Sequence, residues 1–186
     1  MSDATDKSIA CSEILLRGIR WKHLEWDEEA ADVTVRSDAF IRQRRPDGTV
    51  DSDLSVDRLR YSTVEQSFAR WGTLFTKGKL TGMPVARSLH TGWLRDLGLR
   101  VLASPTPENP AHAGIHGLPE PPPPNDSGRL QATAASRMAT KLLLLSRFAG
   151  YGRDDVREQI RRRHQHATAG LLPPVARDRD DPPPPE

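Results

Sequence analysis

Cysteine is almost missing from this chain: 186 residues contain one, Cys11. A lone thiol closes no internal disulfide, so no covalent framework holds the fold, and a reducing cytoplasm is the expected compartment. Long apolar runs are missing as well. The leucine run at 142–145 falls far short of the roughly 20 residues that a membrane-spanning helix needs, so no membrane partner is expected. Residues 1–6 are polar and acidic and lead into no apolar stretch, which gives no sign of a secretion signal. Internal repeats and sustained heptads are lacking, which excludes solenoids and coiled-coil rods. Aromatic residues make up only 5%, too few for an extended platform that stacks single-stranded bases. The chain has no phosphate-binding loop, dinucleotide glycine fingerprint, nucleophile elbow or zincin motif, so it implies no particular cofactor.

Proline and unevenly placed charge are what the chain does have. The net charge is only +2, yet residues 129–167 carry nine Lys or Arg against three acids, while the residues on either side are slightly acidic. The 16 prolines crowd between 105 and 124 and again at 182–185. Together these divide the chain into a flexible N-terminus (1–12), a body (13–118), a polyproline linker (119–127), a basic helical arm (128–167) and a disordered tail (168–186). The arm is expected to pack on the body or on a partner.

Periodicity predicts an α+β body, a small mixed sheet with packed helices, followed by the linker and a C-terminal helical pair. Residues 14–21 read as a central strand with Arg17 inside it, and 32–42 alternate as a half-buried strand. Pro46, Asp47 and Gly48 are turn residues, and 54–56 suit a short returning strand. Ser62 and Glu65 match a capping box for a helix that stops at Gly72. A strand at 83–89, a helix at 91–97 and a strand at 99–103 would form a crossover that brings a parallel pair into the sheet. Leu130, Ala134, Met138, Leu142 and Leu145 recur at helical spacing, so a long helix is expected from 128 to 149, with a basic helix at 154–167 behind it.

Chemistry is carried first by His112 and His116, which sit among very small residues. On a helix such a pair lies about 6 Å apart and can share acid and base work or an ion; on a strand it lies about 13 Å apart and cannot share a metal. Gly114, Gly117 and Pro110 argue against a helix, so no metal site is expected, and loop carbonyls are the plain partners for both rings. Arg17 in an apolar run must be paired, with Asp38, Asp53 or Asp57 as candidates, or else face a cleft where it could clamp phosphate or carboxylate. Trp21, His23 and Glu25 would share a face if the first strand continues, giving Trp21 a possible stacking role. Asp53 lies in an acid-rich stretch suited mainly to turns and caps. Cys11 has no basic neighbour in sequence. Arg157, Arg161 and Arg162 cluster on the basic helix, where anionic partners, nucleic acid among them, would be drawn.

Two functions follow. The first is a small cytoplasmic binding or adaptor protein that engages a protein or anionic partner through the basic arm. The second is a small transferase or hydrolase for a nucleotide-like or phosphorylated substrate, with Arg17 on the phosphate and His112, His116 and Asp53 as catalytic groups. That enzyme requires Arg17 and His112 to meet in one pocket.

Overall fold

The computed structural model describes residues 9–45, 47–72, 75–76, 79–80, 82–121 and 133–168. Pro46 of the expected turn, linker positions 122–127, the tail from 169 and most of the N-terminal segment lie outside these. In chain order the elements are β1 (Ile14–Ile19), β2 (Leu24–Asp27), β3 (Asp32–Val35), β4 (Leu54–Arg58), α1 (Val64–Trp71), β5 (Phe75–Thr76), β6 (Lys79–Leu80), β7 (Val85–His90), α2 (Thr91–Asp96), β8 (Arg100–Ala103), β9 (His112–His116), α3 (Ala134–Leu145), β10 (Arg147–Tyr151) and α4 (Val156–Thr168). Two 3-10 turns, Trp21–His23 and Ser37–Phe40, interrupt the N-terminal strands. The class is α+β, as the periodicity predicts.

Six strands form the main sheet in the order β10-β7-β1-β4-β9-β8, and each neighbouring pair is antiparallel. Side chains alternate across such a sheet, and directly opposed residues share a face. Leu15 and Ile19 of β1, Leu54 and Val56 of β4, Val85 and Leu89 of β7, and Ala113 and Ile115 of β9 all point into one buried core. Phe40 of the second 3-10 turn, Leu142 of α3 and both Val156 and Ile160 of α4 close over it. On the opposite face, Leu16 and Ala86 meet Phe68 of α1 in a smaller cluster rimmed by Val64, Trp71 and Ala149.

Several local expectations change. The strand, helix and strand from β7 through α2 to β8 form as expected, but β1, β4 and β9 lie between the two strands, so no parallel pair results. Burial decides this: β9 is apolar on its inward side and inserts between β4 and β8. The first strand stops at Ile19, and the alternation of 32–42 gives way after Val35 to a 3-10 turn that drops Ala39 and Phe40 into the core. The capping box lies one residue later than the pattern suggests. Thr63 Oγ1 accepts from the Gln66 amide at 3.2 Å, and Gln66 Oε1 accepts from the Thr63 amide at 3.0 Å. Ser62 is instead buried behind the helix. Asp47 and Gly48 turn the chain as expected, with Asp47 Oδ1 accepting from the Thr49 amide and Gly48 at φ 83°.

The expected helix to residue 149 ends at Leu145. Ser146 turns extended, and residues 147–151 add to the sheet as its edge strand β10. Arg87 makes this exit feasible: its Nη2 donates to the Ser146 carbonyl at 2.9 Å and its Nε to Ser146 Oγ at 2.9 Å, placing a cation on the negative end of the helix dipole.

Candidate functional site

The two histidines stand on a strand rather than in a loop. Ala113 and Ile115 are fully buried, so β9 sits inside the sheet and its even positions face the other way. His112, Gly114 and His116 therefore share the face opposite the main core, with Gly114 in the middle. Over four strand residues the rings stand roughly 13 Å apart and share no ion. His112 Nδ1 lies 2.7 Å from Ser104 Oγ and 3.1 Å from the Ser104 carbonyl oxygen. Since a carbonyl only accepts, the ring proton belongs on Nδ1 and Nε2 is left as an acceptor. This is the plain backbone partnership expected for at least one ring. His116 Nε2 lies 3.8 Å from Asp53 Oδ2, close enough for ion pairing when the ring is protonated but too long for a hydrogen bond.

Asp53 reaches His116 across the bare backbone of Gly114. A Cβ at that glycine would stand 2.6 Å from Asp53 Cγ, so the absent side chain is what lets the carboxylate lie there. Asp53 and His116 are thus brought together, and His112 is held apart from them.

Arg17 projects from the other face of the sheet. Leu16 opposes Asp57, and Asp57 in turn opposes His112, so these three share one face. Arg17, one residue along, opposes Arg87 on the other. Among the described residues no carboxylate pairs with Arg17. Its Nη1 donates to the Ser55 carbonyl at 2.9 Å and its Nη2 to the Ala39 carbonyl at 3.3 Å, while Nε is buried without a partner. The three acids expected for it are engaged elsewhere: Asp38 with His23 and Arg36, Asp53 near His116, and Asp57 with Arg70 and Asn109. Burial pulls the Arg17 guanidinium down to about 10, nearby Arg20 adds to this, and the charges of Asp51 and Asp53 act against it. Trp21 is 8% exposed and belongs to the main core, with a buried Nε1 that has no partner. It ends no continuous strand, so the shared face with His23 and Glu25 does not form; His23 instead meets Asp38 at 2.9 Å.

The basic helix is anchored and partly neutralised. Val156 and Ile160 bury one side of α4, and Arg157 Nε reaches Asp32 of β3 at 3.2 Å. Glu158 takes Arg161 at three residues' spacing and Arg162 at four, both at 2.8 Å. Hydrogen bonds from Arg161 and then Arg162 hold the exposed Glu158 carboxyl at about 2. The Arg161 and Arg162 side chains remain 44% and 67% exposed, and no described acid pairs with Arg163.

The chain matches no family model, no curated protein and no solved structure.

Among the described residues no three His, Cys, Asp or Glu side chains converge as a metal site, and no helix is long and apolar enough to cross a membrane. One contact was invisible in the sequence. Arg95 of α2 donates from Nη1 to Cys11 Sγ at 2.6 Å, joining an exposed thiol to a cation 84 positions away. The chain carries no local signal of this; it arises because the Ile9 carbonyl accepts from the other nitrogen of the same guanidinium.

Proposed function

We propose that the protein is a cytoplasmic binding or adaptor protein whose outward α4 face engages an acidic surface on a protein partner. The observation that carries this reading is the mounting of the helix. Val156 and Ile160 fix one side in the core, the Arg157–Asp32 pair fixes its first turn, and Arg161, Arg162 and His166 are left exposed, while Arg163 lies half-buried on the anchored side. Arginines held on an anchored element lose little further freedom on binding and present planar donors suited to carboxylates. Glu158 occupies only part of each guanidinium it pairs with, and a guanidinium has five donors. An acidic protein surface is favoured over nucleic acid because Glu158 and Asp155 sit among these cations and few aromatic rings lie nearby. The transferase reading loses its support, since Arg17 and the histidines project from opposite faces of the sheet and form no single pocket.

Fluorescence polarisation with labelled polyglutamate, and separately with a short DNA duplex, tests the proposal on the intact protein. Polyglutamate should bind in low salt, weaken steeply as salt rises, and weaken at least tenfold in the double variant R161E/R162E, which loses the Glu158 pairs but keeps Val156 and Ile160 in the core and should remain folded at the assay temperature. Equal binding by the double variant would overturn the reading. Preference for duplex, with the steep salt slope of phosphate contacts, would move it to nucleic acid.

A further inference from the structure

We propose that the groove between α1 and the edge strand β10 docks an extended segment of a partner protein, one that carries an apolar residue and a lysine or arginine. The groove holds about 410 Å³ and is lined by Val64, Glu65, Phe68 and Ala69 of α1 and by residues 149–152. It is separate from the α4 face.

Three observations converge on this site. The first is an open edge. β10 pairs with β7 on one side, and among the described residues no strand pairs with its other side. Such an edge presents unpaired amides and carbonyls that an extended chain can complete. The second is access. Ala69, Ala149, Gly150 and Gly152 are too small to shield the backbone, while Phe68, 6% exposed, gives an apolar floor. A side chain entering here gains apolar contact while its backbone reaches the strand.

The third is charge. Glu65 is the one ionisable acid or base among the lining side chains apart from the Tyr151 phenol, and no cation lines the groove. Hydrogen bonds with its own amide and with Thr63 hold the Glu65 carboxyl below its usual value, so it stays ionised at neutral pH. A cation in the incoming segment complements it. The strand itself argues for a short segment over a second copy of this chain. Its register shifts between Phe148 and Gly150, and such a bulge interrupts the regular ladder that two long edges need to pair.

Panning the intact protein against a phage library of random decapeptides identifies the occupant, and polarisation with the synthesised winners measures it. Enriched peptides should alternate apolar residues and include a lysine or arginine. Ala69→Trp, at an exposed position that tolerates bulk, should fill the groove and weaken them at least tenfold. Glu65→Lys should turn the preference from basic to acidic peptides. Ala69→Trp should keep the parent's melting temperature and its binding of polyglutamate, which separates this site from the α4 face, and Glu65→Lys should remain folded at the assay temperature. No enrichment, or winners whose affinity neither variant changes, overturns the proposal. So does a dimer in sedimentation equilibrium that Ala69→Trp dissolves, which would give the groove to a second copy.

Discussion

Replacing Arg70 should destabilise this protein more than replacing the carboxylate that it pairs with. Asp57, 1% exposed, accepts from Arg70 Nη2 at 2.8 Å and from Asn109 Nδ2 at 2.8 Å. The same Nη2 lies 2.6 Å from Ser62 Oγ and 3.1 Å from Ser67 Oγ, both buried residues. In Arg70→Met, Asp57 keeps Asn109 but loses its counter-charge deep in the sheet. Stranding a buried charge costs about 3–5 kcal/mol, and because the Arg70 side chain is 24% exposed water can fill part of its place, which favours the lower end, about 3 kcal/mol. Asp57→Asn keeps the shape and leaves Arg70 free to turn toward water, so about 1–2 kcal/mol is expected. At about 2–4 °C per kcal/mol for a chain of this size, Arg70→Met should lower the calorimetric melting temperature by about 6–12 °C and Asp57→Asn by about 2–8 °C. The double variant should lose less than the two single losses together, since no charge is then left unpaired. A loss under about 1 kcal/mol for Arg70→Met, or strict additivity in the double, would refute the argument that an uncompensated charge is the cause.

Two further predictions follow from local geometry. Gly114→Ala should cost about 1–3 kcal/mol because its Cβ would press on Asp53 Cγ at 2.6 Å, and the cost should shrink without vanishing in an Asp53→Ala background, whose Cβ would still stand 2.9 Å away; equal melting losses in both backgrounds would show that the contact is not responsible. The Glu158 carboxyl should titrate near pH 2 by carbon NMR and move back toward about 4.3 when Arg161 and Arg162 become glutamine. Its folded value lies below its unfolded one, so its pairing supports α4 fully above about pH 4.3 and is lost as pH falls through about 2. A midpoint near 4.3 in the parent would mean that the ion pairs do not persist in solution.

Strand and helix positions were largely legible because they depend on local pattern. The apolar stretch of β1, the turn at Asp47 and Gly48, the helix stop at Gly72 and the basic helix near 156–168 are each encoded within a few neighbouring residues. The misreadings came where distant chain decided the outcome. Nothing at Ser146 breaks a helix; α3 ends there because β7 offers 147–151 a ladder and Arg87, 59 positions away, satisfies the last carbonyls. Likewise the sequence placed His112 and His116 in a loop because glycine and alanine surround them. The flanking strands β4 and β8 supply the pairing that such small residues do not announce.

The candidate catalytic group came apart for the same reason. A set of residues chosen by chemical type carries no information about which face of a sheet each one takes, and a shift of one residue in β1 moves a side chain to the opposite side. Leu16 lies with His112 while Arg17 lies under the Ala39 turn. Charge behaved differently. The cationic excess of residues 129–167 was legible by counting, but its availability was not, because pairing depends on spacing along α4 and on what lies across from it. Glu158 sits three and four residues before Arg161 and Arg162, and Asp32 comes from the far end of the chain to meet Arg157. The cations that remain outward are consequently Arg161 and Arg162, 44% and 67% exposed, in the middle of a helix whose start is pinned. A partner that binds through charge should therefore depend on Arg161 and Arg162, which share Glu158 and keep donors free, more than on Arg157, which would first have to leave Asp32.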